Sequence, residues 1–196
     1  MVKKIIWIFL ILFTSKFTFG IDNNLNIQVD SNGTITNAGQ WYTSIDVDEF
    51  DGEHRTFIFS KKISPNKPLS FPMKNTDPVF AIQCIEDGKK DKCRMYLYFK
   101  ELILSGGDLE DGFTVHDIRV RLDSGEIITM QTTLRFGSKY LNIYRGSRMN
   151  KYMRKNNELL LEIDHYGDGR RLYKLDTKGF KEIMDSNFPN GYRFYN

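Results

Sequence analysis

Two cysteines, three histidines and a run of acids are the residues of this 196-residue chain with chemistry to offer. Cys84 and Cys93 are separated by Ile-Glu-Asp-Gly-Lys-Lys-Asp-Lys, between two strand-like segments. Set opposite each other in an antiparallel hairpin, their Cα atoms would stand ~5.5 Å apart, a span a disulfide tolerates. The competing readings are two free thiols or half of a metal site, but zinc ordinarily takes four ligands at closer spacing. The Cys84–Cys93 bridge is the expectation, and closing so short a loop is worth about 2.5–3 kcal/mol on the chain-entropy view.

The stretch Asp46-Val-Asp48-Glu49-Phe-Asp51-Gly52-Glu53-His54 is acid-rich enough to suggest calcium. A calcium loop places its ligands at fixed offsets around a Gly at the sixth position. Here the third acid is displaced by one, and no Glu follows at the distance a bidentate ligand needs. A solvated acidic turn between strands is the simpler expectation, so no metal ligands are assigned. His54, His116 and His165 form no His-x-x-x-His pair, and no Gly-x-Ser-x-Gly elbow occurs. Cys84 with a distant histidine would imitate a cysteine protease, but a disulfide removes the thiolate. Asp164-His165 and His116-Asp117 are neighbours in sequence, and neighbouring strand residues point to opposite faces. No catalytic residue and no cofactor is therefore expected. The alternative is an exported hydrolase or ligand-binding protein whose fold gathers scattered carboxylates such as Asp46, Asp48 and Asp164.

Arg145, Arg148, Lys151 and Lys155 recur at intervals of three and four, so a helix over 145–155 lines them up in one stripe, flanked by Arg154. Such a stripe suits anionic lipid, glycan or an acidic protein surface. The plainer reading is a solvated face opposite Met149, Tyr152 and Met153.

The elements that must hold these residues read mostly as strands. Arg55–Lys61 alternates around Phe57 and Phe59, and Val79–Ile85 is apolar throughout. Cys93–Phe99 sets Met95, Leu97 and Phe99 against Arg94, Tyr96 and Tyr98. His116–Leu122 sets Ile118, Val120 and Leu122 against Arg119 and Arg121, the period of two that a half-buried strand needs. Asp123-Ser-Gly125 reads as a hairpin turn into Glu126–Phe136. Tyr-Gly-Asp-Gly-Arg, residues 166–170, joins Leu159–His165 to Leu172–Leu175. Two short helices are expected, near 146–155 and 178–185, the second capped by Asp176 or Thr177 and repeating Phe180, Ile183 and Met184. The predicted fold is mainly β: a single antiparallel, β-sandwich-like domain over 40–188. It lies between a mobile, Asn/Gly-rich leader at 21–39 and a polar-aromatic tail at 189–196.

Residues 1–20 have a basic start at Lys3 and Lys4, nine apolar residues from Ile5 to Phe13, and small residues at Thr18 and Gly20. This is the order of a secretory signal peptide cut after Gly20. A membrane-spanning helix needs about 20 apolar residues. An uncleaved anchor is the competing reading, and membrane contact is expected only through that segment. Lys3, Lys4 and Lys16 leave with the signal, so the remaining 176 residues hold 25 basic and 25 acidic side chains. A nucleic-acid coat carries a basic excess on its folded domain. No nucleic-acid partner is expected, and the location is the periplasm or the exterior.

The order of motifs resembles a known family. Trp41-Tyr-Thr-Ser44-Ile-Asp46, Asp51-Gly and Thr56-Phe-Ile-Phe open the domain. Val79-Phe-Ala-Ile-Gln-Cys84 and Ile118-Arg-Val-Arg-Leu-Asp123-Ser-Gly follow, then Leu159-Leu-Leu-Glu-Ile163 and Tyr173-Lys-Leu-Asp-Thr-Lys-Gly179-Phe180. Over residues 40–186 this is similar to the VasI/TagO-like accessory proteins of type VI secretion. Cys84 falls on the family's strand cysteine. The family often has a second cysteine near its C-terminus, where this chain offers Cys93 instead. The resemblance implies a small exported envelope protein with protein partners in the envelope, not an enzyme, and it carries no catalytic residues to this chain.

Overall fold

The computed structural model describes residues 27–195 except 32, 48–51, 88–89 and 111. The signal segment 1–20, the start of the leader and Asp48 lie outside the described residues. The period-two segments become β1 (Ile27–Val29), β2 (Ile35–Ala38), β3 (Trp41–Val47), β4 (His54–Ser60), β5 (Val79–Ile85), β6 (Asp91–Tyr98) and β7 (Asp108–Glu110). They continue with β8 (Phe113–Arg121), β9 (Ile127–Arg135), β10 (Tyr140–Ile143), α1 (Gly146–Met153), β11 (Glu158–His165), β12 (Gly169–Asp176), α2 (Phe180–Asn187) and β13 (Tyr192–Phe194).

All thirteen strands join one sheet in the order β1-β2-β3-β4-β5-β6-β10-β9-β8-β11-β12, with β7 beside β8 and β13 beside β6. Every pairing is antiparallel except β13 with β6. The sheet folds over on itself. Pro65, in the β4–β5 connection, bridges Tyr173 of β12, and the Trp41 indole N–H on β3 donates to the Asp176 carbonyl at 3.2 Å. Both halves therefore share one core, with Trp41, Phe80, Ile82, Leu97, Ile118, Val120, Leu141, Leu161 and Tyr173 in one cluster. The expected sandwich-like β fold with two short helices is what the chain adopts.

The inward set on β6 and β8 is the one the alternation predicts: Met95, Leu97, Ile118 and Val120 are buried, while Arg94 and Arg121 are exposed. On β4 it is Ile58 that is fully buried, and Phe57 and Phe59 lie half-exposed on the outer face. The bridge forms as expected: Cys84 pairs with Cys93 across the β5–β6 hairpin, with Cα atoms 4.1 Å apart and both residues buried.

Three boundaries differ from expectation. Residues 27–38, placed by composition in a mobile leader, form β1 and β2. Their polar sequence is overridden by tertiary contacts: Ile35 N–H donates to Ser186 Oγ at 2.8 Å, Asn187 Nδ2 donates to the Ile35 carbonyl at 2.9 Å, and Ala38 is fully buried. The tail likewise docks, because Phe194 is buried against Gly146. The helices shift by one to three residues. Arg145 is in the left-handed region (φ 58), so α1 starts after it, and α1 ends at Met153, which leaves Lys155 beyond it. Neither Asp176 nor Thr177 caps α2. Gly179 occupies that position at φ 84, where an added Cβ would lie 2.4 Å from the Ala38 carbonyl oxygen. Only glycine fits so close an approach in that conformation.

Candidate functional site

The side chains that do not face the core gather on the outer face of β4-β5-β6-β10-β9-β8. Register sets them in rows: Phe57 opposite Gln83, Gln83 opposite Arg94, Tyr96 opposite Asn142, and Phe113 opposite Arg135. Rings touch along the rows. Phe57 stacks on Phe59 at 5.7 Å and Phe59 on Tyr42 at 5.3 Å. Tyr140 meets Tyr96 edge-on at 5.1 Å and Tyr98 at 5.2 Å. Between these rows lies a groove of about 520 Å³, bounded by Phe57, Gln83, Arg94 and Tyr96 on one side. Phe113, Arg135, Ser138, Tyr140 and Asn142 close the other side.

The groove's electrostatics are one-sided. None of its lining residues among the described ones is acidic. Arg94 and Arg135 have no carboxylate within ion-pair reach among the described residues. Arg94 lies over the Tyr195 ring at 5.7 Å. Burial, with the Tyr140 hydroxyl beside it, pushes the Tyr96 hydroxyl up to about 12, so it stays a neutral donor at the floor. The arrangement can hold an anionic, ring-bearing ligand.

The basic stripe is only partly assembled. Arg145 and Arg148 border a neighbouring hollow of about 250 Å³ on the same outer face, with Asp117, Gln131 and Tyr144. Arg148 donates to the Tyr152 hydroxyl at 3.2 Å, which draws it along its own helix. Lys151 is exposed on α1, and Lys155 is exposed past its end. Arg154 is half-buried and already paired. It clasps Asp185 of α2 at 2.6 Å and the Tyr192 hydroxyl of β13 at 2.7 Å.

The histidines are dispersed. His165 is fully buried, its Nε2 2.7 Å from the Tyr173 hydroxyl, its Nδ1 without a partner among the described residues and Phe99 edge-on at 5.9 Å. Burial pushes it down to about 4. It is a neutral core group. His116 meets Thr114 Oγ1 at 2.8 Å beneath Gly107, and burial lowers it too. His54 borders a hollow beside the disulfide with Glu86 and Asp91, and there burial and then Glu86 raise the Asp91 carboxyl. Of the scattered acids, Asp46 lies on β3 opposite Arg55, whereas Asp164 lies on β11 opposite Arg170. The strand order places many strands between them. Among the described residues no three His, Cys, Asp or Glu side chains are grouped closely enough to hold a metal ion.

No family model, curated protein or solved structure matches the chain. The groove itself went unread in the sequence. Its signal was present in Tyr96 and Tyr140, aromatics on the polar side of the alternation. Joining them, however, requires the β6–β10 pairing, which no local pattern carries.

Proposed function

We propose that this chain is an exported, non-catalytic binding protein of the cell envelope that engages its partner through the outer face of its sheet. Its family-level role on this reading is that of an accessory to a type VI secretion apparatus. The observation that carries the reading is the groove between Phe57 and Phe113, with the exposed rings of Phe113 and Tyr140 and two arginines that have no ion-pair partner among the described residues. A concave patch of aromatics and arginines is what recognition surfaces favour. The buried Cys84–Cys93 bridge supports export, since oxidising compartments preserve disulfides. Arg145 and Arg148 extend the positive potential of the same face, and rim charges of this kind set association rate and salt dependence.

Tagged full-length protein, expressed in its own cell and crosslinked in place, tests this. Processing after Gly20 gives a mature N-terminus at Ile21, and partner recovery falls when Arg94 and Arg135 are both changed to Glu. The reversed stripe (Arg145, Arg148, Lys151 and Lys155 to Glu) weakens recovery mainly at low salt, where surface charges are least screened. Equal recovery by both variants and the parent rejects the outer face as the binding surface.

A further inference from the structure

We propose that the groove takes a chain of acidic sugars, with Arg94 and Arg135 pairing with carboxylates and Tyr140 and Phe113 packing against sugar-ring faces. This rests on the binding reading above and names its ligand class. The guanidinium fork matches a carboxylate with two parallel hydrogen bonds, and both arginines stand without a carboxylate of their own among the described residues. Gln83 adds donors and an acceptor in one planar group, and Asn142, whose Nδ2 donates to the Thr133 carbonyl at 3.4 Å, offers its Oδ1 as an acceptor, which suits neighbouring hydroxyls. Tyr140 is 46% exposed and Phe113 39%, so their rings offer apolar, weakly negative faces to the C–H side of a sugar.

The dimensions favour a chain over a single ring. Arg94 is two strands across from Arg135 and four residues away in register, by way of the Tyr96–Asn142 and Leu141–Leu134 pairs. At ordinary strand spacing and rise their backbones stand roughly 16 Å apart. The groove's 520 Å³ lies within the range of small-molecule clefts.

Other anionic polymers fit less well. An extended acidic peptide gains affinity by adding a strand at a sheet edge, and this groove lies across strands whose backbones are already paired on both sides. Single-stranded nucleic acid needs a run of cations tracking its phosphates. Here two arginines serve the groove, and in the adjoining hollow Asp117 stands beside Arg145 and Arg148 and interrupts the run of cations.

Titration calorimetry on the intact mature protein decides the matter. The probes are an oligogalacturonate, the same oligomer methyl-esterified, an oligoglutamate and an oligothymidylate. The oligogalacturonate binds saturably, and esterification weakens it about tenfold or more, as loss of a charged hydrogen bond does. Arg94→Ala and Arg135→Ala each cause a comparable loss, and Tyr140→Ala a smaller one, with melting unchanged. Failure to bind oligogalacturonate overturns the inference. So does equal binding of oligoglutamate or oligothymidylate, or binding indifferent to esterification and to both arginines. If crosslinked partners persist while oligogalacturonate does not bind, the ligand class is wrong and the binding reading stands; if both are lost, the binding reading falls as well.

Discussion

Of the described histidines, His165 is the one fully buried. Its ring is sealed between Phe99 and Tyr173 and held to about 4 by burial; Asp168 and Asp164 oppose that shift, and Arg171 adds to it. In the unfolded chain it titrates near 6.5. Between those values the unfolded state binds a proton that the folded state refuses, so stability is complete above about pH 6.5 and declines as pH falls toward 4. The loss from pH 7 to 4.5 comes to about 2–3 kcal/mol. His116, also lowered by burial, adds to it in the same direction. We expect His165→Gln to be less stable than the parent at pH 7 by about 1–2 kcal/mol. Because glutamine does not titrate, that gap closes or reverses by pH 4.5. Urea midpoints at the two pH values measure it, and a constant gap would show that His165 does not titrate as described.

Among the elements, the turn into α2 is the tightest junction. Gly179→Ala puts a methyl group 2.4 Å from the Ala38 carbonyl at φ 84, and is expected to cost about 2–3 kcal/mol. Gly125→Ala, at a similar φ of 85 but with open space around it, should cost only about 1 kcal/mol. Denaturant midpoints of the pair separate close contact from backbone strain. The β5–β6 hairpin gives a second test. Replacing Cys84 and Cys93 together with alanine removes about 2.5–3 kcal/mol and raises the denaturant slope, since the unfolded chain is no longer tied. An unchanged midpoint would mean that the bridge adds no stability.

The same elements show what a reader of the chain can and cannot see. Strands such as β6 and β8 were legible because their inward residues, Met95 and Leu97 or Ile118 and Val120, are apolar and alternate with another face that carries Arg94 and Arg121. β4 misleads, since the large rings of Phe57 and Phe59 face out, Phe57 lining the groove, while Ile58 fills the core. β1 and β2 were hidden because their backbone partners, Ser186 and Asn187, lie about 150 residues away.

For the whole molecule, the groove was the least legible feature. It takes side chains from six strands drawn from residues 57 to 142, and only the sheet order brings them to one place. The stripe on α1 was visible because helical periodicity is local, and yet it contributes only Arg145 and Arg148 to a hollow.

The hydrogen bond from Ile35 to Ser186 spans 151 residues of chain. Contacts of that separation cannot be made cheaply early in folding, because loop closure must precede them, and sheets built from distant pairings fold in milliseconds to seconds or slower. Trp41 sits beside this closure, with Phe180 at 5.0 Å and Phe80 at 6.0 Å, and apart from Trp7 it is the chain's only tryptophan. In protein lacking residues 1–20 its fluorescence thus becomes a private clock for the last event of folding. In stopped-flow refolding, we expect the Trp41 signal to lag behind the far-ultraviolet signal of strand formation, and coincident traces would mean that the sheet and its closing α2–β2 contact form in one step.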